Sequence, residues 1–169
     1  GINNTFQTNQ RSDMGPNLNR PTNGPDGEAG NALTVNKQPA VNDPLLEDPV
    51  VKMRIDKAWE DSCPYDGNKT KEQGFWVYKS KGVTKTQDWY NEAATMHSVT
   101  ATPKPDGTIA GFHTHPNWGF GRPGLKGPSP GDVMSLTYGI PEYVINKESI
   151  IRYEIDSRGI TRPIEVKIR

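Results

Sequence analysis

Hydrophobic and polar residues are distributed differently in two parts of the chain. Over residues 1–44, apolar side chains occur singly among Asn, Gly, Pro, Asp, Thr and Gln, and neither helical nor strand periodicity is present. Such a segment cannot bury enough apolar surface to offset the entropy that it would lose on ordering. We therefore expect an irregular linker or N-terminal arm over 1–44 and one folded domain over 45–169.

Two helices are predicted in the folded part. The first covers about residues 48–63, where Asp48 is a good N-cap, Pro follows it, and an apolar stripe continues as far as the next Pro. The second covers residues 129–139, where Ser129 is a natural N-cap, Pro again follows, and Gly ends the segment.

Strands are predicted where aromatic and β-branched residues cluster between turn signals. The predicted strands cover residues 72–78, 96–101, 108–113, 142–145, 150–155 and 160–168. A Gly- and Pro-rich loop over 116–128 separates the third strand from the second helix. Many strands with few helices predict an α/β or α+β fold built on a mixed sheet.

Composition narrows the functions that this chain can have. Lys plus Arg and Asp plus Glu number 20 each, so no net charge favours nucleic acid or a membrane surface as a partner. No apolar run approaches the ~18 residues of a membrane span, and we find no signal peptide. The single cysteine, Cys63, excludes an internal disulfide, and we expect it to pack as a small apolar residue.

Metal-binding residues are concentrated at the end of the third predicted strand and the start of the second helix. His113 and His115 lie two apart on a strand, so both imidazoles point to the same face and can reach one ion. Asp132 lies in the first helical turn, where the helix N-terminus favours a carboxylate. Two imidazoles and one carboxylate leave the fourth tetrahedral position of Zn²⁺ for water, which is typical of a catalytic zinc site.

Amide hydrolysis also needs a group that moves a proton and a group that stabilises negative charge on the carbonyl oxygen. Glu72, at the start of the first aromatic strand, is the candidate acid/base, and Glu60, Glu92 and Glu142 are alternatives. Ser129 is the candidate donor to the oxyanion.

Three further residues are singled out by their type and position. Trp118 and Phe120, on the loop over 116–128, either contact the substrate or pin the loop to the surface, and aromatic side chains do both. His97 lies in the predicted strand 96–101 without a paired ligand, so we expect a structural histidine.

Together these motifs resemble the JAB/MPN metallopeptidases, also called JAMM. That family has a Glu on an early strand, then His-x-His-Pro, then Ser-x-x-Asp, and the same order occurs here with Glu72, residues 113–116 and residues 129–132. The resemblance implies a fold similar to that of the cytidine deaminases, a mixed sheet flanked by helices. It implies zinc as the cofactor, the ligands and acid/base named above, Ser129 as an oxyanion helper, and cleavage of peptide or isopeptide bonds. Residues 116–128 form a longer segment than is usual in the family, which we interpret as an extended rim loop.

Within the family, the chain looks most like the JAB-like toxin domains at the C-termini of large secreted bacterial proteins such as Rhs proteins. The similar features are His-Thr-His, Ser-Pro-Gly-Asp and Gly-Ile-Pro-Glu-Tyr-Val at 139–144. They imply a secreted effector that is the tail of a larger polypeptide, acts in the cytoplasm of a target cell on a protein or peptide substrate, and has a cognate immunity protein. The irregular arm and the start at Gly1 fit such a fragment. The alternatives are a non-catalytic module that binds a ubiquitin-like or other protein partner, and a housekeeping bacterial peptidase.

Overall fold

The structure, a computed structural model, describes residues 42–169. The described part is a mixed α/β fold, as predicted, with one six-stranded sheet and few helices. The irregular arm predicted for 1–44 lies, except for its last residues, outside the described residues. Over 42–169, none of the helices has both the length and the apolarity that crossing a membrane would require.

The described part has two α-helices and six strands, with one helix before the first three strands and the other before the last three. The helices are α1 (Pro49–Asp61) and α2 (Pro130–Met134), and the strands are β1 (Gly74–Ser80), β2 (Val83–Asp88), β3 (Thr108–Thr114), β4 (Glu142–Ile145), β5 (Ser149–Tyr153) and β6 (Ile164–Ile168). The strand order across the sheet is β2-β1-β3-β4-β5-β6. Strands β3 and β4 are parallel, and all other neighbours are antiparallel. Strand β3 therefore lies inside the sheet, hydrogen-bonded on both sides.

Helix α1 begins where the sequence predicts, because Asp48 caps it. The Asp48 carboxylate accepts hydrogen bonds from the backbone N–H groups of Val50 (2.8 Å) and Val51 (3.4 Å). The buried side of the helix then packs against one face of the sheet and forms the main apolar core with it. The core residues that α1 contributes are Val51, Ile55, Ala58 and Trp59.

The face of the sheet towards α1 is built from stacked aromatic rings. Phe75 on β1 stacks on Phe112 on β3, with ring centroids 5.0 Å apart, and Phe112 stacks on Tyr143 on β4 at 4.3 Å. Each of these side chains is buried. This face supplies the apolar burial that holds the sheet and helix together.

The opposite face carries the residues that alternate with that stack. Here Gly74 and Gly111 leave space for two indole rings, since a Cβ at Gly74 would clash with Trp89 and one at Gly111 would lie 2.6 Å from Trp76. The two indoles contact each other, and Trp89 also stacks on His113 with ring centroids 5.8 Å apart. The two glycines therefore leave room for the indoles, and one of these, Trp89, packs directly against the His113 imidazole.

Two strand assignments differ from the sequence-based prediction. The strand predicted over 96–101 is wrong: this segment is a loop, tightened by a single bridge between Thr95 and Ser98. Strand β2 was missed, because it is a largely polar edge strand with no apolar alternation. Its position is set instead by the turn at Lys81 and Gly82, both at positive φ, and by its pairing with β1.

Several boundaries also shift, and the last strand, predicted over 160–168, begins only at Ile164. Helix α2 ends at Met134 rather than at the predicted Gly139, and a turn with a bridge between Thr137 and Ile140 follows it. Strand β1 begins at Gly74, so Glu72 lies just before the strand instead of at its start. Glu72 therefore lies in the segment that connects α1 to β1, where its backbone is held by the loop that carries Thr95.

Candidate metal centre

The two predicted histidine ligands meet at the end of β3. Both are buried, and their Nε2 atoms lie 3.1 Å apart. The backbone around them is held on both sides: the N–H of Thr114 donates to the carbonyl of Gln73, and the N–H of His115 donates to that of Ile145, each at 2.9 Å. The pair is therefore fixed by the interior of the sheet, and this rigidity favours a defined site.

Asp132 reaches the histidine pair from the first turn of α2. The Ser129 Oγ accepts from the Asp132 N–H at 3.1 Å, and the Asp132 Oδ2 accepts from the Ser129 N–H at 2.7 Å, which completes a capping box. The same Oδ2 lies 3.3 Å from the Nε2 of His113 and 3.4 Å from that of His115. The local chemistry of the helix start thus places the carboxylate against both imidazoles.

Glu72 approaches the same pair from the segment before β1. It is buried, and its backbone N–H donates to the carbonyl of Thr95 at 2.8 Å. One carboxylate oxygen of Glu72 and one ring nitrogen each of His113 and His115 lie within 4.8 Å of one another, so this group could hold a metal ion.

The other glutamates that the sequence left open are placed elsewhere. Glu60 and Glu92 are exposed. Glu142 is buried, and its carboxylate accepts a hydrogen bond from the Tyr153 hydroxyl at 3.2 Å. Among the four, Glu72 alone belongs to both the metal-binding group and the wall of the adjoining cavity.

The loop over 116–128 orients one of the imidazoles. The Nδ1 of His115 lies 3.0 Å from the carbonyl oxygen of Leu125. Because a carbonyl can only accept, this Nδ1 carries the proton, and the lone pair of Nε2 faces the other ligands. An outer hydrogen bond of this kind is what fixes metal-binding histidines in proteins. The long loop is therefore part of the site.

The carboxylates around His113 favour the protonated form of its imidazole. Burial by itself lowers the pKa of the His113 imidazole, but the neighbouring carboxylates, Asp132 foremost, outweigh burial and raise this pKa to about 9. Burial also opposes ionisation of Asp132, yet the two imidazoles hold its pKa well below its usual range. Burial raises the pKa of the Glu72 carboxyl to about 6, partly opposed by the imidazoles. A metal ion would have to displace the His113 proton.

The centre opens into a cavity of about 290 Å³. Glu72, His115, Ser129 and Asp132 lie in its wall. The rest of the wall comes from the segment 96–99 and from parts of the loop 116–128. The arrangement can bring a small part of a substrate next to His115 and Asp132.

The two loop aromatics do not line this cavity. Trp118 is buried, with the Lys126 ammonium 5.3 Å above its ring. Phe120 packs on Trp59 and Tyr65, with ring centroids at 6.3 and 5.1 Å. Their positions favour the second of the two predicted roles, in which they pin the loop to the domain.

His97 and Asn117 also lie in the cavity wall, a position that no sequence pattern predicted for either residue. His97 was predicted to be a structural histidine in a strand; it is instead exposed, on a loop. The Asn117 Nδ2 lies 3.3 Å from the His97 Nδ1. No periodic pattern marks either residue, because their contact joins segments far apart in the sequence.

Comparison with known proteins yields no match for this chain, whether with family models, with curated proteins or with solved structures.

Proposed function

We propose that this protein is a zinc-dependent hydrolase of peptide or isopeptide bonds, of the JAB/MPN type that its motifs resemble. The observation that carries the proposal is the triangle of three ligand atoms, the Nε2 of His113, the Nε2 of His115 and the Oδ2 of Asp132, at the edge of a cavity. Its sides measure 3.1, 3.3 and 3.4 Å.

These distances suit a tetrahedral zinc ion. With bonds of about 2.0–2.1 Å, a tetrahedral ion separates its ligand atoms by about 3.3–3.4 Å. Imidazole nitrogen and carboxylate oxygen are also normal zinc ligands. Two histidines with one carboxylate, and a cavity on the remaining side, match the donor set of catalytic rather than structural zinc sites.

In such a site, zinc acts as a Lewis acid and lowers the pKa of water to about 7. Glu72 is the proton carrier of the proposal: its carboxylate takes a proton from the attacking water and returns it to the leaving nitrogen. Its buried position in the cavity wall, close to the imidazoles of His113 and His115, suits this role. The Ser129 Oγ accepts from the Asp132 N–H, so its own proton is free to donate to the carbonyl oxygen.

The biological setting in the proposal is the one that the resemblance implies. The domain would be the C-terminal effector of a larger secreted bacterial protein, acting on a protein or peptide in the cytoplasm of a target cell. A cognate immunity protein would protect the producing cell.

Toxicity on expression tests the proposal most directly. Wild type, His113→Ala and Glu72→Gln would be induced in bacterial cells without an immunity protein, with Glu92→Gln as a control at an exposed glutamate away from the cavity. We expect both site variants to lose toxicity and the control to keep it, since an acid/base group contributes about 10²–10⁴-fold to rate.

Two other outcomes would redirect the proposal. If both site variants kill as well as wild type, the enzymatic toxin proposal is wrong. If Glu72→Gln kills while His113→Ala does not, toxicity requires the metal site but not proton transfer by Glu72. That result fits a binding module.

A further inference from the structure

The segment that carries His97 is attached to the segment that carries Glu72. A turn is closed by the Thr95 N–H, which donates to the Ser98 carbonyl at 2.9 Å, and the His97 N–H donates to the Thr95 Oγ1 at 3.2 Å. The Thr95 carbonyl in turn accepts from the Glu72 N–H at 2.8 Å. His97 and Glu72 are therefore held in the same cavity wall by one short chain of hydrogen bonds.

Asn117 fixes the orientation of the His97 ring. The Asn117 Nδ2 donates to the Met96 carbonyl at 2.7 Å, and its Oδ1 accepts from the Arg122 Nε at 2.9 Å. A carbonyl only accepts and a guanidinium only donates, so the amide of Asn117 can point in only one direction. The Nδ2 that faces the His97 Nδ1 at 3.3 Å is consequently a donor.

The tautomer of His97 follows from that contact. Because its Nδ1 accepts a hydrogen bond, the proton of the neutral ring is on Nε2. The network behind the ring is buried, with Asn117 only 3% exposed and the Arg122 guanidinium anchored to the carbonyls of Pro64 (2.7 Å) and Pro116 (3.2 Å). The His97 ring itself is exposed at the cavity. This buried network thus makes Nδ1 the acceptor and leaves Nε2, on the other side of the ring, as the N–H donor.

We propose that His97 is a specificity residue, whose Nε2–H donates to a carbonyl oxygen of a peptide substrate held in this cavity. The inference rests on the proposed function and adds the substrate feature that the site would select. The nearby wall includes the apolar residues Met96, Val99 and Leu125. The favoured substrate therefore has an apolar side chain beside the carbonyl that His97 binds, close to the bond that is cleaved.

Two hydroxamate probes separate this role from the metal centre. Acetohydroxamate and N-acetyl-leucine hydroxamate share the same metal-binding group, but only the second adds an apolar side chain and an amide carbonyl. Their affinities for the zinc-loaded protein would be measured by calorimetry for wild type, His97→Ala and His97→Gln. Thr100→Ala, at an exposed position on the same loop, is the control.

We expect wild type to bind the leucine probe more tightly than acetohydroxamate. His97→Ala should weaken the leucine probe by about threefold to tenfold, the effect of one hydrogen bond, and leave acetohydroxamate unchanged. His97→Gln, which keeps a side-chain N–H donor, should recover part of the loss, and Thr100→Ala should bind like wild type. An unchanged leucine probe, or an equal loss for both probes, would overturn the inference while the metal centre stands.

The remaining outcomes separate the two proposals. If neither probe binds zinc-loaded wild type, the proposed function fails and this inference fails with it. The tautomer supplies a readout that needs no ligand: ¹⁵N spectra of wild type under mildly alkaline conditions should show the His97 proton on Nε2. A proton on Nδ1 would contradict the inference.

Discussion

The two faces of the central sheet use the same strands for different purposes. On β3, Phe112 points to α1 and stacks between two other aromatic rings, whereas His113, the next residue, points to the metal centre. The first face is apolar and closed by a helix; the second holds buried ionisable groups supported by two indoles. Because adjacent strand residues point to opposite faces, one strand can supply stability and chemistry at neighbouring positions.

The two faces also differ in whether the burial of their side chains stabilises the fold. On the α1 face, burial is favourable in itself, because apolar area leaves water. On the other face, burial opposes the charges of Asp132 and His113, and their contact at 3.3 Å is what favours the charged forms when no metal is bound. Loss of a side chain should therefore have different consequences on each face, and substitutions at neighbouring residues can test this.

The largest effect on folding is expected from Phe112→Ala. Removing this fully buried ring from the stack should lower the free energy of unfolding by about 3–5 kcal/mol. Urea denaturation of the metal-free protein measures it, with Val83→Ala on the exposed edge strand as the control, where we expect a change within about 0.5 kcal/mol. Similar losses for the two variants would contradict the assignment of the core.

The second prediction concerns the neighbouring residue. His113→Ala should weaken zinc binding by more than about a hundredfold, because outer-shell partners alone are worth about 10–100-fold and His113 is a proposed direct ligand. Competition against a chromophoric chelator measures the affinity. His97→Ala, which removes the exposed cavity histidine, is the matched control and should bind zinc like wild type. A small loss for His113→Ala would rule it out as a ligand.

A third prediction is that a rise in pH lowers the stability of the protein without metal but raises its affinity for zinc. In the metal-free protein, the raised pKa of His113 means that its ion pair with Asp132 stabilises the fold fully below about pH 6.5, and that this contribution is lost as pH rises through about 9. Zinc needs the unprotonated ring, so its apparent affinity should change in the opposite direction. We expect a rise of up to about tenfold per pH unit between about pH 6.5 and about pH 9. Chelator competition across this range measures it, and a flat profile would contradict the proposed coupling.

The smallest effect is expected at the helix cap beside the site. Ser129→Ala removes the acceptor of the Asp132 N–H and should cost about 0.5–2 kcal/mol. The backbone N–H of residue 129 still holds the Asp132 Oδ2, so zinc binding should change little. Amide hydrogen exchange at residue 132 is the local readout. Unchanged protection there would show that the hydroxyl does not cap α2.

Short-range patterns were enough to predict much of the candidate site. His113 and His115 share a face because the strand period is two, and Asp132 is held by a capping box that its own tetrapeptide encodes. The same local reasoning located α1 through the Asp48 cap. It failed at β2, since an edge strand needs no apolar alternation, and at 96–101, where apolar residues line a cavity instead of a sheet.

By itself, then, the sequence determined which side chains are available to bind a metal and in what order, because periods and caps act over a few residues. Only the tertiary structure decided what surrounds the site residues: Leu125 orients His115, the carbonyl of Thr95 holds Glu72, and Asn117 contacts the His97 ring in the cavity wall. Each of these contacts joins segments ten or more residues apart. Contacts between such distant segments form when the sheet and loops pack together, and no local pattern in the chain encodes them.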